Sequence, residues 1–270
     1  MKHLLLFLML SPAFAQQPKK PLTALLGAFG AEVALVKQSL ANPKSVSISG
    51  IEFTTGQIGK QAVVVAETGI GKVNAAMTTA LLLNHFRPTR VIFTGIAGGT
   101  NPDLQPGDIV IGSQTGYHDF NSMNMSAKPT RQTLNPLTKA LNPAFFPADP
   151  ALLKQATELS KTVMFEGIPL ASGQVSTRPV RVLVGTIVTG DQFISSATKT
   201  AQLRADFEAD ATEMEGAAVA QVCYQLQTPL LVIRSLSDRA DAEAPLDIRA
   251  FYPTAARNSA KLVLALVKGL

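Results

Sequence analysis

Residues 211–220 read ATEMEGAAVA, where Glu213 and Glu215 flank Met214 between a short strand-like stretch and a helix of small apolar residues. Carboxylates in that setting head for the interior, and burying one is costly unless it is paired or used. Two further stretches raise the same question. GAFGAEV (27–33) puts Glu32 after two glycines at a strand-to-helix turn, and VIRSLSD (232–238) closes an apolar strand with Arg234, Ser237 and Asp238. Each has an ordinary explanation taken singly, since a helix dipole favours an acid in the first turn and an Arg and an Asp can pair. Acids at three strand ends beside one Arg also meet the needs of glycosidic-bond hydrolysis: an acid for the leaving group and a base for water.

The elements that must position these groups follow from periodicity. Strand patterns occur at 22–29, 45–59, 61–68, 90–95, 108–120, 182–193, the ATEM stretch and 230–238, with a hairpin joining the second and third. Helical patterns occupy 73–86, about 150–162, 196–207, 215–227 and 250–268. The alternation predicts an α/β fold, a three-layer αβα sandwich around a mixed, largely parallel twisted sheet. In such a sheet the strand ends are where ligands bind. The segment 121–150, rich in Pro, Asn, Ser and Met, reads as a long loop near those ends.

Several function classes recede on composition. Lys and Arg are scattered without runs, Trp is absent and the net charge is only +5, so no nucleic-acid surface is expected. The single cysteine, Cys223, sits among apolar residues at helical spacing and reads as core. The glycines of ETGIGKVNAA (67–76) and FTGIAGGTNP (93–102) do not match a Walker A or dinucleotide fingerprint, and tight turns are their expected use. No metal and no cofactor is expected. Residues 1–15, MKHLLLFLMLSPAFA, have the basic start, short apolar run and small-x-small end of a signal peptide. The expectation is an exported protein, periplasmic or secreted, free of the membrane after cleavage, with residues 21–270 forming one catalytic domain.

In order along the chain, GAFGAEV, TGIGKVNAA, TGIAGG with PGDIVI and YHD, VTGDQFI, TEMEGAAVA and IRSLSDRAD resemble the nucleoside phosphorylase superfamily. Within it the chain looks most like the 5'-methylthioadenosine/S-adenosylhomocysteine nucleosidases. The resemblance implies cleavage of the bond between ribose and purine through a cationic sugar. It implies Asp238 as the acid that protonates the departing purine, Glu32 as the group that activates water, and Arg234 as the residue that helps hold that water. Glu215 would accept the ribose hydroxyls, with Met214 against the sugar. Phe193 and Ile194 would form the purine site, Ile70 and Phe29 would line the cavity, and Ser237 would support Asp238. Glu213 matches another acid near the ribose, or a supporting partner of Glu215. A small-molecule nucleoside is the implied partner, and a homodimer the implied assembly.

Two departures from the family pattern stand out. Ile96 occupies a position where the nucleosidases usually carry a hydroxyl, and the segment near 121–145 lacks the aromatic pattern that covers the 5' substituent in the family. Two alternatives stay open: a phosphate-dependent phosphorylase and a non-catalytic nucleoside binder on the same fold. A glutamate at position 32 and an isoleucine at 96 suit a phosphate dianion poorly.

Overall fold

The structure is a computed structural model that describes residues 21–121, 131–169 and 174–270. The expected leader lies outside the described residues, as does 122–130 of the expected loop.

The described residues form ten strands and six helices. They are β1 (Leu22–Gly27), α1 (Gly30–Gln38), β2 (Ala41–Ile48), β3 (Ile51–Ile58), β4 (Gln61–Glu67), α2 (Lys72–Phe86), β5 (Arg90–Gly99) and β6 (Ile109–Tyr117). Then follow β7 (Phe145–Pro147), α3 (Pro150–Ser160), β8 (Val182–Thr189), α4 (Ala197–Phe207), β9 (Ala209–Glu213), α5 (Gly216–Gln225), β10 (Leu230–Asp238) and α6 (Ala244–Gly269).

The inner strands are largely apolar and buried along both faces, which is the pattern of a sheet covered on both sides. Side chains alternate between two cores. Leu26, Val64, Ala66, Val91, Phe93 and Val232 pack with Ala75 and Leu82 of α2 and Ala217 and Val219 of α5. Their neighbours Leu25, Val63, Val65, Ile92, Leu231 and Ile233 pack with Val33 of α1, Leu152 of α3 and Val263 of α6. That two-sided burial makes the three layers. Cys223 belongs to the first core, and burial raises its thiol pKa, which leaves it a packing residue.

The sheet order is β10-β6-β8-β9-β5-β1-β4-β3-β2, with β7 on β6 and a further pairing of β10 with β5. The two longest ladders, β10 with β5 and β6 with β8, are parallel. β9 meets β5 antiparallel through Gly98↔Thr212 and Gly99↔Ala211. Because β10 touches both β5 and β6, strands β5, β10, β6, β8 and β9 close into a ring, and β1, β4, β3 and β2 extend from it as a wing. The closure draws the ends of β5, β9 and β10 to one place.

Differences from the expected elements are local. The glycines of GIAGG lie within β5 instead of in a turn. β8 ends at Thr189, so the DQFI residues form the loop that follows it. The 121–150 segment contributes β7, whose Phe146 pairs with Thr115 of β6. α6 begins at Ala244 rather than near 250, which brings Ile248 toward the strand ends.

Candidate active site

Nine of the expected residues line one cavity of about 150 Å³: Phe29, Glu32, Ile70, Phe193, Glu213, Met214, Glu215, Ser237 and Asp238. They come from the ends of β1, β4, β8, β9 and β10, whose apolar bodies lock the backbone and leave the terminal residues to face the gap. The rest of the wall is Ala28, Ile96, Ala97, Gly98, Thr212 and Ile248. Ile70 and Phe193 are 57% and 48% exposed, which places them at the mouth, while Glu32, Glu213, Glu215 and Asp238 are buried at the base.

Glu32 is held by backbone amides. Its Oε1 accepts from Ile96 N at 2.9 Å, and its Oε2 accepts from Ala28 N. Burial raises its pKa, against the charge of Arg234 and those N–H groups. Room for it depends on Gly95, where a Cβ would stand 2.6 Å from Glu32 Oε1 and 3.0 Å from Arg234 Nη1.

Asp238 accepts from Ala240 N at 2.8 Å through Oδ1 and from Ser237 Oγ at 2.7 Å through Oδ2. Burial raises its pKa above the ordinary carboxylate value, and these two hydrogen bonds oppose the rise. An aspartate so placed is suited to carry a proton and give it up. The same strand, β5, makes room for both acids, since a Cβ at Gly98 would stand 2.8 Å from Asp238 Oδ1.

Glu213 and Glu215 have different surroundings. Glu213 accepts from Thr189 Oγ1, from the backbone N–H groups of Glu215 and Gly216 at the start of α5, and from Arg234 Nη2 at 2.7 Å. Its oxygens are thereby committed to the fold. Among the described residues, the Glu215 side chain accepts from Gly71 N alone, at 2.8 Å. Its pKa is pushed up to about 8, first by burial and then by the Glu213 carboxylate, with Gly71 N–H and Arg234 acting against the rise.

Two expected residues lie off the cavity wall. Arg234 sits beneath it, 1% exposed, with Nη2 on Glu213, Nη1 on the carbonyls of Phe93 and Ile233, and its guanidinium 4.1 Å from the Phe93 ring centre. It reaches Glu32 by charge and Glu213 by contact. The Ile194 side chain turns away into a small core with Val188, Leu203 and Phe207, because it follows Phe193 in a loop whose other face packs on α4.

Sequence reasoning did not single out Thr189, Gly71, Thr212 or Ile248. Thr189 had a signal, a polar residue ending a buried strand within VTGD. Gly71 was visible only as a turn glycine, and Ile248 depends on the early start of α6.

Among the described residues, Glu32, Glu215 and Asp238 take part in no salt bridge, and Arg234 is bound to Glu213. Three carboxylates with raised pKa values in a mostly apolar lining give a pocket able to donate a proton, accept one and face a developing positive charge.

The phosphorylase superfamily model matches residues 23–268 of the chain. The 5'-methylthioadenosine/S-adenosylhomocysteine nucleosidase of Tolumonas auensis is 37% identical over 247 residues, which cover 91% of this chain and 98% of that protein. The crystal structure of the Neisseria meningitidis nucleosidase of the same name, in complex with methylthio-immucillin-A, matches with a TM-score of 0.81 at 37% identity, over 92% of this chain and 99% of that one. Futalosine hydrolase of Helicobacter pylori matches with a TM-score of 0.78 at 28% identity, over 93% of this chain and 98% of that one.

Proposed function

The chain belongs to the phosphorylase superfamily and is an N-glycosidic bond hydrolase within it, and from that premise we propose that it is an exported purine nucleosidase acting on adenosine-type nucleosides. The substrate class is that of 5'-methylthioadenosine and S-adenosylhomocysteine, the products free base and sugar. Relatives named for those two nucleosides support this choice of base and sugar.

The observation that carries the reading is the division of labour among the acids: Glu213 is bound to Arg234, while Glu32, Glu215 and Asp238 face the cavity without a cation. Asp238, whose carboxyl burial shifts toward the protonated form, gives its proton to N7 of the purine as the bond from C1' to N9 breaks. Glu32 takes a proton from water, and the water oxygen bonds to C1'. Glu215 accepts the 2' and 3' hydroxyls and faces the positive charge that spreads over the sugar. Phe193 and Met214 offer apolar surface to the base and the ribose.

Water suits the site better than phosphate. A phosphate dianion would meet three acids, the apolar Ile96 and Phe29, and an arginine already bound to Glu213. Purine nucleosides assayed with and without phosphate, following free base, test the reading: equal release in both supports it, and release that requires phosphate rejects it.

Two further parts of the proposal rest on other residues. Export rests on the pattern of residues 1–15, and a mature N-terminus mapped at or just after residue 16 supports it, whereas a retained Met1 refutes it. Assembly as a homodimer is supported by apolar side chains left facing solvent on α2 and at the end of α5, Val73, Met77, Tyr224 and Leu226, with the exposed Leu141 lining the same hollow as Tyr224. Light scattering at twice the chain mass is the expected result, and a monomer at micromolar concentration contradicts it.

A further inference from the structure

Outside the cavity, three charged residues join three loops that the proposed reaction does not use directly. Lys72 opens α2, Asp119 follows β6 and Asp191 follows β8. Lys72 Nζ stands 2.7 Å from Asp119 Oδ1, 2.8 Å from Asp119 Oδ2 and 3.4 Å from Asp191 Oδ2. The backbone joins in, with Lys72 N donating to Asp191 Oδ1 at 2.9 Å and Asp191 N donating to Asp119 Oδ2 at 2.8 Å. The lysine ammonium also stands 5.6 Å from the Tyr117 ring centre, at the end of β6.

Two of the joined loops, those carrying Lys72 and Asp191, lead to the cavity within a residue or two. Gly71, immediately before Lys72, donates its N–H to Glu215 Oε1 at 2.8 Å. Its φ of +94° is open to glycine and strained for other residues, so the direction of that N–H is set by the backbone alone. Phe193, two residues after Asp191, lines the mouth. Ion pairs as exposed as Lys72 and Asp119, at 23% and 21% side-chain exposure, and Lys72 and Asp191, at 23% and 50%, contribute little to global stability. Their consequence is one of position.

We infer that Lys72, with Asp119 and Asp191, is a positioning residue that holds the Gly71 N–H on Glu215 and fixes the Phe193 loop beside it. The inference rests on the reading of Glu215 as the ribose carboxylate for its effect on turnover. Its effect on Glu215 itself is independent of any substrate. The charged groups facing Glu215 are Glu213 from β9, Arg234 from β10 and Glu32 from α1, and the Gly71 N–H is the donor that reaches it from the turn before α2. Losing that donor disfavours the carboxylate, so the titration of Glu215 moves to higher pH.

The test is a ¹³C NMR titration of glutamate carboxyls in the full chain, with the Glu215 signal identified by its loss in Glu215→Gln. In Lys72→Met the midpoint of Glu215 rises by about half to one pH unit. In Lys72→Arg, which keeps the charge, it stays closer to the starting value. A folded Lys72→Met protein whose Glu215 midpoint is unmoved overturns the inference. If Lys72→Met does not fold, Asp119→Asn decides on the same readout, upward movement supporting the inference and no movement overturning it. Adenine release at neutral pH falls roughly three- to tenfold in Lys72→Met, the counterpart of that midpoint change. The reading of Glu215 is tested separately, by whether Glu215→Gln abolishes release.

Discussion

Arg234 Nη2 stands 2.7 Å from Glu213 Oε2, with the two side chains 1% and 3% exposed. This pairing separates two glutamates that lie two residues apart. Glu213 anchors β9, the start of α5 and β10 to one another, and Glu215 is left with a single backbone donor and an open side toward the cavity.

The first prediction follows from that separation. Glu213→Ala strands a buried guanidinium and lowers unfolding free energy by about 3–5 kcal/mol, measured by urea denaturation. Glu215→Ala costs far less stability and lowers turnover by about 100-fold or more. Equal stability losses in the two variants contradict the division.

Asp238→Asn keeps the shape and can still accept from Ala240 N, with its amide nitrogen donating to Ser237 Oγ in place of the bond Asp238 accepts, but it cannot supply the proton. Base release falls by about 10²- to 10⁴-fold while nucleoside binding, measured by calorimetry, stays within a few-fold. Unchanged turnover removes Asp238 from the reaction.

Burial also leaves a signature in the pH dependence of stability. The Glu215 pKa rises from 4.5 to about 8 on folding, so between those values the folded chain holds a proton that the unfolded chain releases. The stabilisation is fully present below 4.5 and is lost as pH rises toward 8, at a slope of at most about 1.4 kcal/mol per pH unit. The raised pKa values of Glu32 and Asp238 act in the same direction. Denaturation at a series of pH values shows this decline, and Glu215→Gln flattens it. A rise in stability over the same window, traced to Glu215 by that variant, contradicts the assignment.

Gly95→Ala tests the fit of Glu32 to β5. The added methyl would stand 2.6 Å from Glu32 Oε1, so the carboxylate must move. The expected result is a loss of about 1–3 kcal/mol of stability and at least about tenfold in turnover, read in denaturation and in base-release assays. Turnover equal to that of the unmodified protein shows that Glu32 need not sit where it does.

Much of this candidate site is legible in the sequence, for a physical reason. Buried strands are apolar, so the polar groups at their ends, Glu32, Glu213, Glu215, Ser237 and Asp238, stand out against them. What stayed hidden depends on contacts between distant segments. The partner of Arg234 follows from β9 and β10 converging as the strand ring closes, and no local pattern encodes that closure. The glycines of GIAGG suggested a turn because glycine is common in turns, yet they lie in β5 and make space for Glu32 and Asp238. The resemblance gives Ile194 its place beside Phe193 at the purine site, while the packing of its side chain with Val188, Leu203 and Phe207 depends on how the loop after β8 meets α4 and has no local signal. Gly71 and Lys72 belong to the TGIGKVNAA motif, yet that motif does not say what the Gly71 N–H and the Lys72 ammonium meet across the fold.

The most direct test of the central claim is the fate of the oxygen that replaces the purine. 5'-Methylthioadenosine incubated with the protein in ¹⁸O-water without phosphate is predicted to release adenine and leave the label on the C1 hydroxyl of a free sugar. Adenine release that appears only with phosphate, with a sugar 1-phosphate as the product, would contradict it.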